Sequence, residues 1–211
     1  MSLQISVAQV TPFVENCYLL LDDDARVGVA IDPGGEVDAI VAAMEKMGGE
    51  FKEIWITHGH LDHIGAAAQL SRRIGARALG PGVGDEFLVN GLRGQQRRYG
   101  WPETEPYVPA KWLQDGDRLS VGAFDFDVLA TPGHTPGHVC FSCPAAQIVF
   151  TGDCLFAGSV GRSDFEGGDG ATLIRSIRSK LLALPEETTV LPGHGPATAI
   201  GIEKASNPFL S

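Results

Sequence analysis

The chain has 211 residues, 44% of them hydrophobic, and a formal net charge of −10. Residues 1–211 read as a single domain that buries its own core. The acidic balance excludes the basic groove that a nucleic-acid partner needs, and no apolar run approaches the roughly 20 residues of a membrane span. Four scattered cysteines do not form a disulfide scaffold, and an N-terminus that alternates like a strand, without an apolar leader, predicts a cytoplasmic location.

In chain order, residues 3–10, 16–21 and 26–31 read as strands, the last ending at the turn Asp32-Pro33-Gly34-Gly35. Helical spacing over 36–47 stops at Gly48-Gly49. A strand at 52–56 runs into a histidine-rich loop, and 63–74 is helical. Residues 82–109 are rich in Gly, Arg, Gln and Pro; a helix is expected around 84–97, and the stretch is the candidate for a mobile lid. Strands follow near 118–122, 124–130, 138–142 and 147–151, then a helix at 170–183, a short strand at 189–191 and a closing helix at 198–206. This order predicts a layered α/β sandwich with its site at the strand ends. Cys140 and Cys143 form a C-x-x-C, but on a strand they point to opposite faces and read as core residues.

All six histidines lie in loop motifs at strand ends. Three belong to Thr57-His58-Gly59-His60-Leu61-Asp62-His63, two to Thr131-Pro132-Gly133-His134-Thr135-Pro136-Gly137-His138, and one to Pro192-Gly193-His194-Gly195-Pro196. Four ligand-type residues within six positions have little purely structural use, so His58, His60, Asp62 and His63 are read as metal ligands. Imidazole and carboxylate together suit zinc, iron or manganese, zinc being the first choice. With His134, His194 and Asp153 the cage exceeds what one tetrahedral ion takes, and it suits two ions sharing a carboxylate and a nucleophilic water. Asp153 follows an apolar strand and is read as the bridge, with a turn-forming role as its alternative. Asp62 reads as ligand or proton shuttle, and Asp32 as a partner behind the ligands or a turn residue.

These residues resemble the metallo-β-lactamase superfamily and, within it, the glyoxalase II-like (hydroxyacylglutathione hydrolase) group of short bacterial type. Asn16-Cys17-Tyr18, Ile31-Asp32-Pro33-Gly34, Thr57 to His63, Thr131 to His138, Thr151 to Phe156, Gly161 to Asp164 and Leu191 to Pro196 carry the resemblance. It implies a four-layer αββα sandwich. It also implies a first metal on His58, His60 and His134, a second on Asp62, His63 and His194, and Asp153 between them. His138 matches no ligand of the family and is expected behind or beside the cage. Arg162 is expected either to hold a substrate carboxylate or to pair with Asp164. The implied reaction is hydrolysis of a small-molecule thioester such as S-D-lactoylglutathione. The chain ends at Ser211, soon after His194, so the helical domain that contacts glutathione in two-domain glyoxalase II is expected to be missing. The alternatives weighed are a persulfide dioxygenase with one iron, a metal-dependent phosphodiesterase, and a non-catalytic metal-binding module.

Overall fold

The computed structural model describes residues 2–210. The first sheet is built from β1 (Leu3–Val10), β2 (Glu15–Asp22), β3 (Val27–Ile31), β4 (Glu50–Trp55) and β5 (Arg77–Leu79), paired in that order. β1–β2 and β2–β3 are antiparallel, while β3–β4 and β4–β5 are parallel. Those parallel pairs need crossovers. They are supplied by α1 (Val37–Met47) and by α2 (Leu61–Ile64) with α3 (Ala67–Ile74).

After α4 (Glu86–Asn90) and α5 (Leu92–Tyr99) come β6 (Arg118–Val121), β7 (Phe124–Ala130), β8 (Val139–Cys143), β9 (Ile148–Gly152), the hairpin β10 (Leu155–Phe156) and β11 (Ser159–Val160), α6 (Gly170–Ser176), β12 (Thr189–Pro192), β13 (Thr198–Ala199) and α7 (Ile200–Ser206). The second sheet has the order β13-β12-β9-β8-β7-β6.

Three buried apolar clusters correspond to the three interfaces of four layers. In β2 every residue is buried, and its alternate side chains serve different interfaces. Cys17 and Leu19 join Ile40, Met44 and Leu70 under the first helical layer. Tyr18 and Leu20 join Trp55, Phe126, Phe141 and Phe150 between the sheets. Beyond the second sheet, Cys140 and Val149 pack on Leu173, Ile177, Leu181 and Ile200. Cys143 lies in the inter-sheet cluster while Cys140 lies outside it, so the C-x-x-C splits across the sheet as its spacing predicts. The αββα architecture is therefore the observed one.

Several elements depart from the sequence reading. The helix expected over 63–74 breaks at Gly65, because the Ala66 N–H donates to the Pro33 carbonyl rather than along the helix. The closing helix is shorter by two residues, since Thr198 and Ala199 pair with β12. The helix from Gly170 passes into wider turns at Ile177–Leu181. β5, β10, β11 and β13 are two or three residues each, too short for an alternation to show. The stretch read as a candidate lid, with one helix expected around 84–97, forms two, α4 and α5, and carries its own hydrogen bonds. Gln95 donates to the Gly59 and Leu88 carbonyls, Gln96 and Thr104 exchange two hydrogen bonds, and the Tyr107 hydroxyl donates to the Gly80 carbonyl. No helix among the described residues is long and apolar enough to cross a membrane.

Trp55 is fully buried between Phe126 and Phe141, with ring centroids 5.1 and 5.3 Å away. Phe126→Ala should therefore open a cavity at the centre of the inter-sheet layer and cost about 3–5 kcal/mol in denaturant unfolding. A loss below about 1 kcal/mol would show that this layer does not hold the two sheets together.

Candidate metal centre

The functional loops leave the sandwich on one rim, directly after β4, β7, β9 and β12. Each loop is shaped by close backbone approaches. A Cβ on Gly34 would stand 1.5 Å from the Asp62 carbonyl oxygen, so only glycine lets the turn after β3 pass beneath the histidine loop. A Cβ on Gly193 would stand 2.5 Å from Asp153 Oδ1 and 2.7 Å from His63 Cε1, which lets β12 bring His194 up to the same point.

The imidazoles are oriented by what their outer nitrogens touch. The Thr57 hydroxyl donates to Asp32 Oδ2 at 2.6 Å, so its oxygen can only accept from His58 Nδ1, 3.0 Å away. That leaves His58 Nε2 as a bare lone pair facing inward. His134 Nδ1 donates to the Arg162 carbonyl at 2.6 Å, and again Nε2 faces inward. His60 Nδ1 completes the set, and the three nitrogens lie 2.9, 3.1 and 3.2 Å apart. Four donors placed tetrahedrally about 2.0–2.1 Å from a zinc ion are about 3.3 Å apart, so the spacing fits a shared cation. Burial first, and then the neighbouring imidazoles, hold His58 well below the ordinary histidine value; burial and His134 bring His60 down to about 3. Both are neutral at pH 7 and present lone pairs.

A second group forms beside the first. His63 Nδ1 donates to Asp32 Oδ2 at 3.0 Å, and His194 Nδ1 donates to the Phe13 carbonyl at 3.1 Å. His63 Nε2 then stands 3.8 Å from Asp62 and 3.4 Å from Asp153 Oδ1; His194 Nε2 stands 3.2 Å from Asp62 and 3.6 Å from Asp153 Oδ1. Asp153 Oδ2 lies 3.7 Å from His134 Nε2, so this carboxylate faces both groups. His63 Nε2 and Asp153 Oδ1 are buried with no hydrogen-bond partner. Unpaired buried polar atoms are costly, and a bound cation would satisfy both. The donor set, imidazoles with carboxylates, is the one divalent metals take.

His138 lies outside both groups. Its Nδ1 meets the Thr131 hydroxyl at 2.9 Å, and its Nε2 accepts the Asp153 backbone N–H at 3.2 Å. It holds the Asp153 backbone in place. Asp32 sits behind His58 and His63, accepting the Thr57 N–H as well as the two bonds above, from a left-handed turn with φ 53°. Arg162 is paired with Asp164 by bonds of 2.9 and 2.8 Å, with its guanidinium 4.4 Å above the Phe165 ring.

Two residues of the centre escaped the sequence reading. Asp85, fully buried, accepts from the Gly59 N–H, the Thr135 hydroxyl and the Gly137 N–H, and so clamps two histidine loops together. Nothing in its local pattern, Gly84-Asp85-Glu86, marks it. Glu15 is also fully buried, 3.8 Å from His63 Nδ1, with both carboxylate oxygens unpaired; burial pushes its pKa well above the carboxylate range. It precedes the Asn16-Cys17-Tyr18 motif, and its charge placed at a strand start was the available signal.

A family model described as the metallo-beta-lactamase superfamily matches residues 10–194. This chain belongs to that superfamily, whose members bind divalent metals. Within it, the chain is 43% identical over 210 residues to a hydroxyacylglutathione hydrolase, GloC, of Haemophilus influenzae, covering 99% of each chain. It is also similar to the crystal structure of BLEG-1 B3 metallo-beta-lactamase (TM-score 0.91, 35% identity, 99% of this chain and 100% of that one). A crystal structure of TTHA1623 in a di-iron-bound form matches with TM-score 0.89 and 40% identity over 97% of this chain and 100% of the other.

Two measurements check the centre. Burial works against charge on His63 and His194, yet Asp153 and Asp62 outweigh it and raise both pKa values. A cation needs them deprotonated, so protons compete with it and affinity should climb with pH through the raised pKa values. Calorimetry of zinc binding near pH 7, in two buffers of different ionisation enthalpy, should show net proton release; buffer-independent heats would contradict this. Asp85→Ala leaves three buried donors without their acceptor and should lower unfolding free energy by about 3 kcal/mol. The same variant should retain less metal after dialysis, and full metal content with unchanged stability would remove the clamp role.

Proposed function

We propose that this chain is a two-metal hydrolase that cleaves a hydroxyacyl thioester, with His58, His60 and His134 holding one ion, Asp62, His63 and His194 the other, and Asp153 shared. The observation that carries the reading is the convergence of these two groups on one carboxylate, Asp153, whose Oδ1 is buried and has no hydrogen-bond partner. The hydroxyacylglutathione hydrolase among the relatives supports the thioester as substrate. Zinc suits the donor set, and the di-iron-bound neighbour keeps iron in view.

Bound there, two divalent ions would lower the pKa of a shared water toward about 7 and polarise the thioester carbonyl. The chain's own work is positioning. Asp32 and the Phe13 and Arg162 carbonyls fix the imidazole tautomers, so no ligand must reorganise as charge develops. Phe165 packs 5.1 Å from His60 and 6.1 Å from His134, an apolar wall that holds the acyl carbon over the centre and keeps bulk water off. Asp62, 8% exposed, sits where it can accept the proton that the nucleophilic water gives up. Overall, water adds across the C–S bond: the acyl carbon gains the oxygen, and sulfur leaves as the thiol.

Asp153→Ala should lower turnover of S-D-lactoylglutathione at least about 10²-fold and reduce the bound metal from two ions toward one, with an unchanged far-ultraviolet spectrum. Wild-type turnover by that variant would sink the mechanism. A single iron with oxygen uptake on a persulfide would instead place the chain with the oxidising members of its superfamily.

A further inference from the structure

The centre opens into a cleft of about 760 Å³. A hydroxyacyl group fills only a small part of such a volume, so most of the cleft faces the other half of the substrate. That part is amphipathic. Across its mouth Phe13 stands edge-on to Tyr99, with centroids 5.5 Å apart, and leans on Trp101 at 5.1 Å. Phe13 and Tyr99 remain 43% and 45% exposed, a large aromatic ledge left open to solvent beside the centre. Beside Tyr99, at the last turn of α5, Arg98 lines the same cleft.

Two arginines therefore border the cleft, and they are not equivalent. Arg162 spends its guanidinium on Asp164, through two hydrogen bonds, and on the Phe165 face. Its charge is matched before any ligand arrives. Arg97, next to Arg98 on the chain, is likewise paired with Glu103. Arg98 is exposed, and its guanidinium makes no hydrogen bond or ion pair among the described residues. Glu166 is the remaining exposed charge of the lining, and it follows Phe165 in the Arg162 loop, away from α5 in sequence. In a chain of net charge −10, one uncommitted guanidinium beside an aromatic ledge is suited to a carboxylate at the end of an apolar stem.

We propose that Arg98 determines substrate specificity by binding a carboxylate on the thiol half of the thioester, with the Phe13–Tyr99 ledge carrying the stem between that carboxylate and the reacting carbonyl. This rests on the hydrolytic reading above. The bland role for Arg98 is to complement the C-terminal end of α5, which would affect stability and not the choice between substrates.

The test uses metal-loaded wild type, R98M and R162M with two thioesters of the same hydroxyacyl group. One is built on 3-mercaptopropionate, the other on the neutral 3-mercaptopropionamide. In wild type the propionate ester should have the lower KM, and R98M should cut that preference about tenfold, the change falling on KM rather than kcat. R162M should shift the preference much less. Equal changes for both esters in R98M, no change, or a larger effect from R162M would overturn the assignment. If wild type hydrolyses neither ester, the hydrolytic reading fails. The non-cleavable thioethers of the same two thiols then decide on Arg98 alone, by calorimetry. Weaker binding of the anionic thioether alone in R98M upholds its role, and charge-independent binding ends it.

Discussion

The carboxylate of Asp32 accepts three hydrogen bonds in the interior, two from Thr57 and one from His63 Nδ1. Through the Thr57 hydroxyl it also fixes the proton of His58. One side chain thereby sets the tautomer of an imidazole in each donor group, and it does so from behind, leaving the inward lone pairs free. His134 and His194 are set the same way, by backbone carbonyls. The centre is less a collection of ligands than a ring of proton acceptors surrounding them. Loss of that ring would leave the same histidines present but wrongly protonated or turned.

The sandwich makes this arrangement possible by its stiffness. Each sheet is covered on its outer face by helices and on its inner face by the other sheet, so the ends of β4, β7, β9 and β12 are held by packing on both sides. Loops as short as the ones after β9 and β12 then have little freedom. Glycine stands where side chains crowd the backbone: at Gly152, the end of β9, with φ 46°, an added Cβ would meet the Thr57 hydroxyl at 2.5 Å. Asp85 extends the same logic across the centre by tying the loop after β4 to the loop after β7.

The sequence made the donors legible because they are dense, chemically distinctive and local: His58 to His63 lie in one turn of chain. Asp153 was legible from its place at a strand end. The layered architecture followed from element order, and the αββα form from resemblance. What lay hidden was long-range. Asp85 acts on residues 26 and 52 positions away, and Glu15 meets His63 only after folding. The break at Gly65 depends on a carbonyl of another loop, and the short strands depend on neighbours already in place. Arg162, expected either to hold a substrate carboxylate or to pair with Asp164, is paired with Asp164.

The four cysteines have a consequence of another kind. Cys17 lies under the first helical layer, Cys143 between the sheets, and Cys140 and Cys154 beneath the second helical layer, all free and fully buried. Burial pushes the thiols of Cys17, Cys143 and Cys154 up, which further quiets them toward alkylating reagents. Each apolar layer therefore contains its own silent chemical clock. The order in which the four thiols become reactive under mild denaturant reads out which layer of the sandwich comes apart first.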